Sequence, residues 1–165
     1  MAKTFRTGVL TLSDKGSQGL REDLSGKTAA EILQAAGFSI ALTKIIPDHA
    51  PTIVQTLLQW VDQEHLDLIV TSGGTGLSPS DVTPQAMRAV IDFEVPGMAE
   101  AMRAASLKKT PHAMISRAMV GVRKSTLIVN LPGSPKGVRE NLAVVLPALP
   151  HALEKLLGDK TDCAV

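Results

Sequence analysis

Leu66-Asp67-Leu68-Ile69-Val70-Thr71-Ser72-Gly73-Gly74-Thr75-Gly76-Leu77-Ser78-Pro79-Ser80-Asp81-Val82-Thr83-Pro84 decides the fold. The run Leu66–Thr71 is nearly continuous in apolar residues rather than alternating, which is the pattern of a parallel strand covered on both faces. Three glycines among four residues then end it sharply. Thr83-Pro84 reads as a cap followed by Pro at the first helical position, opening a helix over Gln85–Ile91. A buried strand, a glycine turn and a helix in that order are the parts of an α/β unit.

The same grammar extends outward in both directions. Gly8–Leu12, Ile40–Ile46 and Thr126–Leu131 read as further buried strands. Between them, Leu24–Ala36 places Leu24, Ile32, Leu33 and Ala36 on one side and stops at Gly37. Pro51–Val61 carries the stripe Ile53, Val54, Leu57, Leu58 and Val61. Helices are also expected over about Gly97–Leu107 and over Pro135–Leu157, the latter broken at Pro147 or Pro150. Pro111–Arg123 is the weakest stretch, read as a short helix and then a strand over Ala118–Val122. Alternating strands and helices predict a parallel sheet with helices on both faces. The 165 residues suit one domain over 1–165.

Composition excludes several classes. Charged residues are 20 % of the chain with a formal net charge of +1, so nothing steers it to nucleic acid or an anionic membrane. Aromatics are 2 %, too few for base-stacking platforms. Cys163 is the single cysteine, which excludes an intrachain disulfide or a Cys-rich zinc site. The start of the chain has no apolar signal core, and no stretch nears the roughly 20 apolar residues of a membrane helix. A soluble, cytoplasmic protein is expected. His49, His65, His112 and His151 are scattered without metal-ligand spacing, and Met87, Met98, Met102, Met114 and Met119 read as core filler.

In open α/β sheets, ligands bind beyond the carboxyl ends of the strands. Here those ends are Ser13-Asp14 with a polar loop through Asp23-Leu24-Ser25-Gly26, Pro47-Asp48-His49, Ser72–Pro84 and Asn130-Leu131-Pro132-Gly133-Ser134-Pro135-Lys136. All are polar or glycine-rich after apolar strands, which points to one shared rim. Gly73, Gly74, Thr75 and Gly76 allow positive φ, a close backbone approach and an anion-binding nest. The following helix adds a positive dipole end. The same residues also suit a bare strand-to-helix turn. No Lys-Ser/Thr pair follows the glycines, so this is not a Walker loop, and Pro79 spoils the dinucleotide fingerprint. Asn130–Lys136 reads as a second phosphate site, with Ser134 as cap and Pro135 at the first helical position, or as an ordinary helix start. Asp48 and Asp81 would repel a phosphate unless a divalent cation such as Mg²⁺ bridged them. Alternatively they accept hydrogen bonds from an amino-heterocycle, or serve as plain loop residues.

Several stretches in register resemble the molybdopterin adenylyltransferase family of molybdenum-cofactor synthesis. They are Val9–Asp14, Glu22–Gly26, Ile46–Asp48, Ser72–Pro84, Pro96–Glu100, Ile115–Ala118 and Asn130–Pro135. The resemblance spans nearly the whole chain. It implies a three-layer α/β/α fold with a mostly parallel sheet, assembled as a homotrimer. It implies Mg²⁺-dependent transfer of AMP from ATP to the terminal phosphate of molybdopterin, releasing pyrophosphate, with the product passed to a molybdate-inserting protein. The family's two important acidic residues match Asp48 and Asp81, which would then be the catalytic and Mg²⁺-holding positions. Gly73, Gly74, Thr75, Gly76, Asn130, Pro132, Gly133 and Ser134 would hold the nucleotide, and Ser13, Asp14, Ser116 and Arg117 the pterin. Two positions depart from the family. Ser80 stands where a basic residue commonly precedes the Asp of the glycine motif, and His49 where an acidic residue follows Pro-Asp.

The expected chemistry needs positioning and charge neutralisation rather than an activated Ser, Cys or His, and none is evident. A non-catalytic pterin carrier on the same fold is the alternative, favoured by Ser80 and His49. A different nucleotide-dependent enzyme is a third reading.

Overall fold

The computed structural model describes residues 3–161 and 163. Six strands form one sheet: β1 (Arg6–Leu12), β2 (Ser39–Ile46), β3 (Leu68–Ser72), β4 (Phe93–Glu94), β5 (Val120–Arg123) and β6 (Thr126–Leu131). Their spatial order is β2-β1-β3-β6-β5-β4. The first four run parallel, while β5 pairs antiparallel to β6 and β4 antiparallel to β5. Among the described residues seven α-helices accompany them: α1 (Asp14–Ser17), α2 (Leu24–Ala35), α3 (Ala50–Asp62), α4 (Thr83–Val90), α5 (Pro96–Leu107), α6 (Pro135–Val145) and α7 (Leu149–Leu156).

Two apolar layers sandwich the sheet. On one face Val9, Leu68, Val70, Leu127 and Val129 meet Leu33 of α2, Met102 of α5, Leu142 of α6 and Leu153 of α7. On the other face Leu10, Leu12, Ile69 and Ile128 meet Ile53, Leu57 and Trp60 of α3 and Met87 of α4. Each such fully buried side chain contributes about 1.5–3 kcal/mol relative to exposure. This is the three-layer α/β/α arrangement with a mostly parallel sheet. It explains the unbroken apolar runs in β1, β3 and β6, whose positions alternate between two dry faces.

Three expectations need correction, and one open choice is resolved. Ile40–Ile46 is not a buried strand, because β2 is an edge strand and most of its positions are exposed or half-buried. Its register slips between Thr7 and Gly8, and the bulge sends Ile40 to one helix layer and Leu42 to the other. Thr83 is not the cap of α4: Val82 holds that place, and Thr83 Oγ1 donates backward to Gly73 O at 2.9 Å. Met114 is not core filler, being 73 % exposed on a 3-10 turn over Pro111–Ile115. The break in the last helical section falls at Pro147, inside a 3-10 turn over Leu146–Ala148 that separates α6 from α7.

Candidate functional site

The parallel run β2-β1-β3-β6 brings four carboxyl ends to one rim. The chain leaves β1 outward to β2 and then crosses back to β3, so the topological switch falls between β1 and β3. The glycine turn stands at this point. Gly73 and Gly74 have φ of +109° and +66°. A Cβ on Gly73 would lie 2.3 Å from Leu12 O, and one on Gly74 would lie 2.2 Å from Thr83 Oγ1 and 3.3 Å from Asp48 Oδ1. Only a residue without a side chain passes here. The turn is fastened by Gly73 N donating to Leu131 O (3.0 Å) and by Thr83 N donating to Gly74 O (3.2 Å). The N–H groups of Gly74, Thr75 and Gly76 donate to no acceptor among the described residues.

The loop after β6 is braced against this turn. Ser72 Oγ donates to Pro132 O (3.0 Å), and Ser25 Oγ donates to Gly133 O (2.6 Å). Ser134 caps α6, accepting from Gly137 N at 3.0 Å, and Pro135 follows in the first turn. Asn130 is fully buried. It donates to Thr71 Oγ1 (3.0 Å) and accepts from Met119 N (3.4 Å), tying β6 to its neighbours behind the rim.

Asp48 follows β2 and is held by a reciprocal pair with Asp14. Asp48 N donates to Asp14 Oδ1 (2.9 Å) and Asp14 N to Asp48 Oδ2 (3.3 Å). Its other oxygen, Oδ1, is buried without a hydrogen-bond partner among the described residues. Burial pushes the Asp48 carboxyl above its ordinary value; the charges of Asp14 and Asp81 push the same way, and the Asp14 N–H opposes them. Asp81 accepts from Ser78 N at 2.9 Å, and its Oδ2 would stand 2.8 Å from a Cβ on Gly76. An orphaned carboxylate oxygen beside a bare glycine fits a hard divalent cation that takes its remaining ligands from substrate phosphates and water. Among the described residues no three His, Cys, Asp or Glu side chains form a cation cage, so the protein would supply only part of the ligand set.

The glycine turn and the Pro132–Ser134 loop form a wall between two cavities. On one side is a cleft of about 660 Å³, lined by Ser13, Asp23, Asp48, Gly73, Gly74 and Gly133 among others. On the other is a cavity of about 410 Å³ between α5, the 3-10 turn and the start of α6, bordered by Thr75, Gly76, Met102, Arg103, Ser116 and Pro132 among others. Ser134 borders both. The charges differ. Arg21 faces Glu22, Asp23 and Asp48 in the cleft, whereas Arg103, Lys109 and Lys136 face Glu140 in the second cavity.

Ser13, Asp48, Gly73, Gly74, Gly133 and Ser134 thus come together in the cleft, while Thr75, Gly76, Ser116 and Pro132 border the other side. Asp14 meets the cleft through Asp48. Arg117 grips the glycine loop itself, donating to Gly76 O and Asp81 O. Ser80 is exposed at the loop tip with Ser78 Oγ at 3.2 Å, and His49 caps the path into α3 with Nδ1 2.8 Å from Thr52 Oγ1. Sequence reasoning missed Arg21 and Thr11, and named Thr75, Gly76, Ser116 and Pro132 without foreseeing that they border a second cavity. Ala99, Arg103 and Ser106 recur at helical spacing on α5, but only the packing of α5 against α6 makes that stripe a cavity wall.

Residues 8–151 match the family described as "Probable molybdopterin binding domain". The molybdopterin adenylyltransferase of Helicobacter pylori is 41 % identical over 159 residues, covering 95 % of this chain and 90 % of that protein. The molybdopterin adenylyltransferase of Escherichia coli K12 is 42 % identical over 148 residues, covering 88 % and 75 %. The solved structure of the molybdopterin biosynthesis enzyme MoaB from Thermus thermophilus superposes with a TM-score of 0.89 at 52 % identity, covering 94 % of this chain and 98 % of that one. A likeness of this extent, reaching through all four rim segments, leads to one conclusion: the chain belongs to the molybdopterin-binding domain family of molybdenum-cofactor biosynthesis.

Proposed function

We propose that this protein transfers AMP from ATP to the terminal phosphate of molybdopterin, giving adenylyl-molybdopterin and pyrophosphate. The observation that carries the reading is the wall shared by two cavities, with unpaired backbone N–H groups in it and Asp48 beside it. Such a wall lets two phosphorylated molecules meet phosphate to phosphate. The similarity to proteins named molybdopterin adenylyltransferase supports the choice of substrates.

In this reaction an oxygen of the substrate phosphate, already ionised at neutral pH, forms a bond to the α-phosphorus of ATP. The bond from that phosphorus to the oxygen bridging to the β-phosphorus breaks, and its electron pair leaves with pyrophosphate. The protein needs to position both phosphates and offset their charge. Gly73, Gly74, Thr75 and Gly76 hold the nucleotide phosphates, with Pro132, Gly133 and Ser134 on the facing loop and Asn130 keeping that loop's strand in register. Ser13 and Asp14 from the cleft, and Ser116 from across the wall, serve the pterin, whereas Arg117 acts through the glycine loop that its donors hold. Asp48 and Asp81 would hold Mg²⁺, which would supply positive charge against the phosphate oxygens. On the same reading the chain works as a cytoplasmic homotrimer, over one domain spanning 1–165, and hands its product to a molybdate-inserting protein.

The test is pyrophosphate release by purified protein given molybdopterin, Mg²⁺ and ATP. Release that depends on the pterin, and that Asp81→Ala abolishes without unfolding, is the expected result. Tight pterin binding without release would mean a carrier, and near-normal turnover by Asp81→Ala would remove that residue's role.

A further inference from the structure

Arg117 spends three donors on the glycine loop, and its Nη1 donates to Gln85 Oε1 of α4 at 3.4 Å. Its backbone N–H donates to Thr75 O at 2.7 Å. Its Nε donates to Gly76 O at 2.8 Å and its Nη2 to Asp81 O at 2.6 Å. One half-buried residue therefore grips both ends of the loop that runs from Gly76 to Asp81. Between the grips Leu77, Ser78, Pro79 and Ser80 are all exposed. Within that stretch Asp81 N donates to Ser78 O, and Ser78 N to Asp81 Oδ2, both at 2.9 Å, so these bonds tie the loop only to itself. The guanidinium is a rigid planar fork, and its bonds to two carbonyls are charge-assisted.

We propose that Arg117 is a positioning residue for adenylyl transfer: it fixes the Asp81 carboxylate against the glycine wall and links that placement to the second cavity. The link is the chain itself. Ser116 and Ala118, on either side of Arg117, both border the second cavity, so a ligand seated there bears on the segment that carries the fork. The role rests on the adenylyl-transfer reading, but the clamp is a separate physical claim and is measured separately.

The clamp is tested by amide hydrogen exchange on the full chain. In Arg117→Ala the amides of Ser78 and Asp81 should exchange about tenfold faster or more, with the sheet unchanged. Unchanged exchange in the loop overturns the proposal. The role is tested by pyrophosphate release. Arg117→Ala should lower kcat about a hundredfold, the scale of a displaced catalytic group, with KM for molybdopterin held within about threefold. Arg117→Lys should not restore it, because an ammonium has no fork, whereas added guanidinium ion should restore part of the Arg117→Ala loss. In an Asp81→Asn background Arg117→Ala should cost nothing further. Independent, multiplicative losses overturn the positioning role, as does a rise in KM alone, which would make Arg117 a substrate contact. If the wild-type protein releases no pyrophosphate with molybdopterin, the adenylyl-transfer reading falls and the role falls with it, while the exchange result still decides the clamp.

Discussion

Asp48 carries opposing demands in one side chain. Its carboxyl is raised above the ordinary value of 3.8 chiefly by burial, and Oδ1 has no partner among the described residues. A carboxyl whose folded value lies above its unfolded one makes the folded state hold the proton longer. Stability therefore falls as pH rises from about 3.8 through the folded value. Asp48→Asn removes the buried charge and keeps an acceptor for Asp14 N. It should melt at a higher temperature than the wild type at pH 7, with the gap closing as the pH approaches 3.8. Partial exposure keeps the gap small. The same variant should lose pterin-dependent pyrophosphate release, a trade of function for stability. Thermal melts over a pH series check this, and a variant that melts lower at pH 7 would contradict it. From sequence, Asp48 was visible as a rim carboxylate because it directly follows an apolar strand. Its pairing with Asp14 was not visible, since two loops 34 residues apart meet only once β1 and β2 lie side by side.

Elements are joined at the opposite end of the molecule by a compact ion cluster. Asp62, the last residue of α3, accepts from Arg123 Nη2 at 2.9 Å and Nε at 3.2 Å, and pairs with Lys124 Nζ at 2.7 Å. Arg123 Nη1 also donates to Val90 O at the end of α4, so one guanidinium ties the β5–β6 turn to two helices. The Asp62 carboxyl is lowered to about 2 by its hydrogen bonds to Arg123 and then Lys124. A lowered folded value means that the contribution is present above 3.8 and is lost as pH falls toward about 2. Asp62→Asn should therefore melt lower than the wild type at pH 7 and converge with it near pH 2, with the difference shrinking in high salt. A constant difference across that range would show the change to be packing rather than charge. This cluster left no mark in the sequence, because its partners are 61 residues apart and none follows a helix-pair spacing. The central strands were legible, since their unbroken apolar runs have one physical meaning. β4 was missed: Phe93 and Glu94 are two exposed residues, too short a run to show a strand pattern, and are strand only because β5 pairs with them.

The site belongs to the whole molecule, not to one motif. Its wall is closed by bonds between distant segments: Ser25 to Gly133, Ser72 to Pro132, Gly73 to Leu131, and Arg117 to Gly76 and Asp81. The helices α2, α4 and α6, which follow β1, β3 and β6, all begin at this wall, so unfolding any one of them opens it. A ligand bound there should stabilise the fold as a unit. With MgATP at a hundred times its Kd, linkage gives about 2.7 kcal/mol. For a chain of this size that is a rise of roughly 5–10 °C in melting temperature. Sequence reasoning could place the glycine turn on a rim, but the second cavity arises only when α5 and α6 pack across the face carrying β5 and β6. That cavity holds Arg103, Lys109 and Lys136 against a single Glu140, whereas the cleft is net acidic. The acidic cleft beside Asp48 should therefore make the nucleotide's stabilising effect depend on the cation. Calorimetry with ATP alone, MgATP, and MgATP plus excess EDTA should show the large shift only with MgATP, and the Asp48→Asn and Asp81→Ala variants should lose most of it. A shift of equal size without Mg²⁺ would remove the two carboxylates from nucleotide binding and leave the glycine wall as its sole support.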